Sequence, residues 1–206
     1  GGATGGGGTT VTTAAYTTLT ALSQSTVSTF AVGGGISGKF AGNGSIAINT
    51  IRNDVAAYVL NSCVTADNDI LLTAADKSQI GAIAGALGIS GTAAIVGSVA
   101  MNFIGVSDAA LGAHQVHAFI DNSEVVCANG SLALKALSDA IIKNIAVAGG
   151  LAGKVAVNGS VSVNWIYTDI AAYIKDCTST GESKAVWAQG DITLDATDNR
   201  AISVIA

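Results

Sequence analysis

The chain has 206 residues, a formal net charge of −5 and a pI near 4.7. It holds 26 glycines, no proline and only 11% charged residues, and its apolar half is Ala, Val, Ile and Leu, since aromatics make up 5%. It is too apolar for a disordered segment and lacks the three-residue glycine period of collagen. Its acidity excludes a general nucleic-acid binder, which needs a basic face. Residues 1–38 and 78–107 contain no Asp, Glu, Lys or Arg, so a membrane-inserting protein stands as an alternative, with Gly85 to Val106 long and apolar enough for a spanning helix.

The first eight residues, Gly-Gly-Ala-Thr-Gly-Gly-Gly-Gly, lack the basic start of a signal peptide, and the chain reads as a mature or excised piece. Residues 1–29 form a Gly/Thr-rich lead-in. TTLTALSQSTVSTFA (17–31) is a degenerate copy of a block that recurs as DILLTAADKSQIGAIA (69–84), SLALKALSDAIIKNIA (131–146) and DITLDATDNRAISVIA (191–206). The copies at 17–31, 69–84 and 131–146 each run into a second block: FAVGGGISGKFAGNGSIAIN (30–49), IAGALGISGTAAIVGSVAMN (83–102) and IAVAGGLAGKVAVNGSVSVN (145–164). The three second blocks align without gaps, and seven columns are identical. Among them are Gly35/Gly88/Gly150, Gly38/Gly91/Gly153, Gly44/Gly97/Gly159 and Asn49/Asn102/Asn164. A variable stretch follows with its own echo, DVAAYV (54–59), QVHAFI (115–120) and DIAAYI (169–174). The chain thus divides into the lead-in and three large repeats, 30–82, 83–144 and 145–206, read as one continuous array.

The local period is two. Ile46/Ile48, Val99/Met101 and Val161/Val163 alternate with small or polar residues, as do Ile70/Leu72/Ala74, Leu132/Leu134/Ala136 and Ile192/Leu194/Ala196. Such alternation predicts strands, and the inward Ile, Val and Leu are expected to stack on their equivalents. The fold expected is all-β, a parallel β-solenoid with two or three coils per repeat. The Asn-Gly pairs at 43–44, 129–130 and 158–159 predict turns, which makes Gly44, Gly97 and Gly159 turn glycines. Asn49, Asn102 and Asn164 are expected to form an internal amide ladder, each amide donating to one neighbour and accepting from another. The absence of proline fits strands that need every N–H. Gly35, Gly38, Ala41 and Gly44 are spaced by three, which matches neither strand nor helix; small residues there let the backbone turn or approach a neighbouring coil.

Gly44-Ser45 with Asn49, Gly97-Ser98 with Asn102, Gly159 through Asn164, Asp169 to Ile174 and Gly190 to Ala196 carry a resemblance. The pattern resembles the repeats of leukotoxin-like filamentous adhesins and related autotransporter passengers, which are large secreted bacterial proteins. The resemblance implies a right-handed parallel β-helix, secreted or at the cell surface, serving in adhesion or as a stalk.

No catalytic, cofactor or metal residue is expected. His114 and His117, with Asp108 and Asp121 nearby, are the weak metal candidates and read as loop or surface histidines. Asp67-Asn68-Asp69 and Asp195 through Asp198 read as turn and strand-end acids, since the calcium-binding nonapeptide is absent. Lys39 and Lys154 follow glycines, but the full phosphate-loop spacing is missing. Cys63, Cys127 and Cys177 are expected to stay unpaired. The Asn-Gly-Ser sequons at Asn43, Asn129 and Asn158 read as turn chemistry rather than glycosylation sites.

The leading function is a structural or adhesive segment of an extracellular bacterial surface protein. Its expected partners are further copies stacked head to tail, flanking repeats, and host or cell-surface glycans or proteins. A carbohydrate-active β-helix enzyme is the alternative of a different class.

Overall fold

The computed structural model describes residues 9–105, 114–177 and 185–206. All regular structure among them is strand. The lead-in and first repeat supply β1 (Thr10–Thr13), β2 (Thr17–Ser23), β3 (Thr26–Ser37), β4 (Phe40–Ile51) and β5 (Asp54–Leu60). The chain continues with β6 (Cys63–Ala66), β7 (Ile70–Asp76), β8 (Gln79–Ser90), β9 (Ala93–Ile104) and β10 (Gln115–Asp121). Next come β11 (Glu124–Cys127), β12 (Leu132–Ala152), β13 (Val155–Ile166) and β14 (Asp169–Lys175), then β15 (Val186–Ala188) and β16 (Ile192–Ile205).

These strands fall into four separate sheets, and every pairing is parallel. Sheet I has the order β1-β6-β11-β15 and sheet III the order β13-β9-β4. Sheet IV has the order β14-β10-β5. Sheet II joins β2, β7, β12, β8 and β3, with β16 also on β12; the long β12 bridges the short β7 and β8. The chain visits the sheets in the constant order I, II, III, IV. One repeat is therefore one pass through all four sheets, not the two or three coils expected from its length.

The pairing register is the sequence alignment. Asn49 lies opposite Asn102 and Asn102 opposite Asn164. Gly35, Gly88 and Gly150 share a column, as do Asp54, Gln115 and Asp169. The degenerate copy at 17–31 takes the equivalent place, Thr17 opposite Ile70 and Ala31 opposite Ala84. Like stacks on like because a parallel pair repeats the same side-chain environment one strand further along.

Two regions differ in what they bury. In the body, sheets I and IV and the first half of sheet II enclose Ile70, Leu72, Val116, Ile120, Leu132 and Leu134. This is the interior the alternation predicts for the block at 69–84 and its copies. In the arm, β3, β8 and the end of β12 turn back as β4, β9 and β13 and pack face to face with them. Here the faces are exchanged. Ala84, Ala94, Ser98, Ala100 and Asn102 point inward, whereas Ile46, Ile48, Ile95, Val161 and Val163 lie exposed. The expected inward Ile46/Ile48 and Val161/Val163 columns are corrected accordingly: the strands are right and the face is wrong.

Close approach of the two arm layers explains the inversion. A Cβ added at Gly33 would sit 2.4 Å from the carbonyl oxygen of Gly44. One at Gly88 would sit 2.7 Å from a methyl of Val96, and one at Gly150 2.4 Å from the Asn158 amide. Side chains cannot enter from both layers at such a position; apart from Val96 and the Ile51, Ile80, Ile104 and Ile142 cluster at the base of the arm, the large apolar residues occupy the outer faces. The puzzling spacing by three resolves in the same way. Gly35 and Ala41 face the gap, and Gly38 lies at the tip, where a Cβ on Gly91 would meet the Gly38 oxygen at 2.3 Å. Gly44, Gly97 and Gly159 are not turn glycines; they lie within β4, β9 and β13. Asn43-Gly44 and Asn158-Gly159 are likewise in strands, and only Asn129-Gly130 sits at a bend. The stretch Gly85 to Ile104, read as a possible spanning helix, is β8 and β9 with the tip between them. No helix among the described residues is long and apolar enough to cross a membrane.

Candidate functional site

Between body and arm the interior turns polar. Asp76 ends β7, Ser78 precedes β8, Asn53 precedes β5 and His114 precedes β10. All four lie where a strand stops and the chain changes sheet, so their side chains meet at the waist of the molecule. His114, read from the sequence as a loop or surface histidine, is fully buried. Its Nε2 lies 3.1 Å from Oδ2 of Asp76, itself buried, and the Asn53 backbone N–H donates to Nδ1 at 3.0 Å. Nδ1 is thus an acceptor, and the ring carries its proton on Nε2, which donates to Asp76. The Asn53 amide nitrogen lies 3.0 Å from Asp76 Oδ1, 3.0 Å from Ser25 Oγ and 3.1 Å from Ser78 Oγ, so its two N–H groups are shared among three acceptors. Burial alone pushes the Asp76 carboxyl up. Hydrogen bonds from His114, Ser78 and Asn53, with electrostatic attraction to His114, outweigh it and hold the group below its ordinary 3.8. Gly105, with φ of 73°, makes room beside it: a Cβ there would meet the Tyr167 oxygen at 1.9 Å and His114 Cβ at 2.8 Å.

Ser, His and Asp meet here, but not as a hydrolytic triad. Both imidazole nitrogens are engaged, one by a backbone N–H and one by the carboxylate, so neither is available to take a proton from a nucleophile. The cluster can orient and lock; its chemistry is structural.

Beyond the waist, a polar column enters the arm. Asn49 Nδ2 donates to Asn102 Oδ1 at 2.8 Å, and Asn102 Nδ2 to Asn164 Oδ1 at 2.8 Å. Thr29 donates to Asn49 Oδ1 at one end. At the other end Asn144 donates to Asn164 Oδ1 at 3.1 Å, and Asn164 donates to Ser162 Oγ at 2.8 Å. Each rung both donates and accepts, which is how an amide tolerates burial.

The outside carries a second column. Tyr58, Phe119 and Tyr173 stack on sheet IV with centroids 5.1 Å apart at each step and planes within 8° and 4°. His117 lies beside them, edge-on to Tyr173 at 6.1 Å, with Nε2 3.2 Å from Asp169. Asp121 pairs with Lys175 at 3.1 Å rather than with a histidine. At the next corner Asn61, Asn122 and Asp176 all take positive φ, near 49°, 46° and 51°. The Asn122 amide donates to Asn61 Oδ1 at 2.7 Å. This corner was missed in the sequence, although its signal, Asn-Ser, Asn-Ser and Asp-Cys after each aromatic strand, is present.

The remaining candidates separate. Asp108 lies outside the described residues. Asp69 caps across layers, accepting from the Ser131 N–H at 2.8 Å. Asp195 and Asp198 are not at a turn: they lie within β16, where Asp195 accepts from Thr197 and Asp198 pairs with Arg200. Lys39 and Lys154 occupy the exposed arm tip. Cys63, Cys127 and Cys177 are unpaired, and burial pushes the Cys127 thiol up. No group of three or more potential metal ligands occurs among the described residues. The chain matches no family model, no curated protein and no solved structure.

Proposed function

We propose that the four sheets are faces of one β-solenoid, right-handed as parallel crossovers favour. In this reading the chain is a structural or adhesive segment of an extracellular bacterial surface protein, secreted or held at the cell surface. The observation that carries it is the register: each repeat makes one pass through sheets I to IV and lies strand for strand on the next. Among the described residues the outermost strands have one unpaired edge each. β4 and β13 are edge strands of sheet III, and β5 and β14 of sheet IV, so their outer N–H and C=O groups can pair with a further layer. Flanking repeats or further copies stacked head to tail are the occupants proposed. Repeated outward residues, such as the Tyr58-Phe119-Tyr173 column, would give weak multivalent contacts to glycans or proteins.

One pass per repeat changes the mechanics of such a stalk. Each repeat of about 60 residues adds one strand spacing, about 4.8 Å, to the axis. The object is broad and short, and reach comes from many layers. The test is small-angle scattering on chains extended by one, two and three copies of residues 145–206. Growth of about 5 Å per copy along one axis at constant cross-section is expected. Growth in all dimensions, or a far-ultraviolet spectrum dominated by helix, would sink the proposal.

A further inference from the structure

The outer face of sheet III is the least expected surface of the molecule. It is built from β4, β9 and β13, thirty-six residues without a single charge. Its outward columns are mostly Ile, Val, Met, Phe and Trp, with Gly42, Thr50 and Ala93 among them, and are broken by one full column of glycine, Gly44-Gly97-Gly159. That column has no steric duty toward the gap. A Cβ on Gly44 or Gly97 would stand 3.6 or 3.7 Å from the next layer's oxygen, in ordinary contact, and one on Gly159 would meet nothing within 4 Å. The glycines therefore leave a furrow on the outside, bordered by the ridge Ile46-Val99-Val161.

We propose that this face pairs with the same face of a second copy. Three considerations select that occupant. The first is area: strands of 12 residues rising about 3.3 Å each, three across at about 4.8 Å, make a plate of roughly 570 Å². Two such plates together bury roughly 1,100 Å², above the threshold of about 1,000 Å² for a specific contact. The second is charge. The chain is acidic overall, but nothing on this face repels its own image or calls for a charged partner. The opposite face of the arm differs, carrying Lys143 exposed at its base. The third is shape. In an isologous pair each copy's ridge can enter the other's furrow, with the sheets about 10 Å apart. A lipid surface fits less well, because edge strands β4 and β13 would carry unpaired backbone groups into hydrocarbon. The pairing is lateral and rests on sheet III alone, whereas the solenoid proposal concerns growth along the axis.

Sedimentation velocity across the micromolar range tests it. The wild-type chain is expected to show a closed, concentration-dependent dimer. Val99→Asp with Val161→Asp should give a monomer with an unchanged far-ultraviolet spectrum, whereas Leu87→Asp with Leu151→Asp, on the opposite face of the arm, should leave the dimer intact. Trp165 gives a reading without disturbing the face. In a Trp187→Phe background its emission should move to longer wavelength on dilution as the pair separates. A wild-type monomer throughout, a dimer lost only with the Leu87/Leu151 variant, or a monomer that binds phosphatidylcholine vesicles would each overturn the proposal. Open-ended oligomers indifferent to Val99 and Val161 would overturn it too, while leaving axial stacking standing.

Discussion

The body and the arm use the same strand alternation and bury opposite faces. In the body Leu72, Leu134 and Ile120 are inside. In the arm an isoleucine cluster, Ile51, Ile80, Ile104 and Ile142, fills the base; beyond it the inside is mostly Ala, Ser, Gly and Asn, with Val96, and apolar residues such as Ile36 and Leu151 are 83% and 70% exposed. Sheet separation decides which set fits. The body is wide enough for branched aliphatic side chains at normal packing density. The arm layers lie so close that at Gly88 and Gly150 the space is taken by Val96 and Asn158 of the facing layer, and at Gly33 by facing backbone, leaving no room for a second side chain. The body is thus stabilised by apolar burial. The arm has only a small apolar cluster at its base and otherwise depends on backbone pairing and amide bonds, with most of its apolar surface turned outward.

The waist between the two should show the largest effect. Asp76→Ala leaves His114 and Asn53 buried without their acceptor and is expected to cost about 3–5 kcal/mol, read by chemical denaturation. The same group sets a pH dependence. Its folded pKa is depressed below 3.8, so its stabilisation is fully present above that value and is lost as pH falls further, through the folded pKa. Asp76→Asn should flatten this acid limb below about pH 4, and a limb unchanged by it would show that Asp76 is not the group responsible.

Leu134→Ala, in the middle layer of the body, is expected to cost about 3 kcal/mol by opening a cavity. That corresponds to roughly 6–12 °C in Tm for a chain of this size. A cost below 1 kcal/mol would mean that the body is not the apolar store described. In the arm, Asn102→Ala removes the central rung and strands the Asn49 donor. About 2 kcal/mol is expected, with hydrogen exchange accelerating in β4 and β13 but not in β7. Exchange that rises equally in body and arm would erase the distinction between them. The smallest effect belongs to the outer arm: Ile95→Thr should change the stability of the monomer by less than about 0.5 kcal/mol, because the side chain is already in water.

Period-two alternation announced strands in both blocks, and the repeated asparagine column marked residues that stack. His114 was not legible. A single histidine without an equivalent in the other repeats looks like a loop residue until the chain's return brings it against Asp76. Gly44 was misread because Asn-Gly favours turns locally, whereas parallel pairing with Gly97 holds it extended.

By itself the sequence determined composition, strand character and register. Gapless self-similarity leaves one way to lay a repeat on the next so that columns match, and the structure uses it. Only the tertiary structure decided which face of each strand is inside. A period of two is the same pattern seen from either side, and the choice depends on how near the facing layer comes. It also decided that one repeat closes one pass, because strand length alone does not say how many faces the chain must visit before it returns to itself.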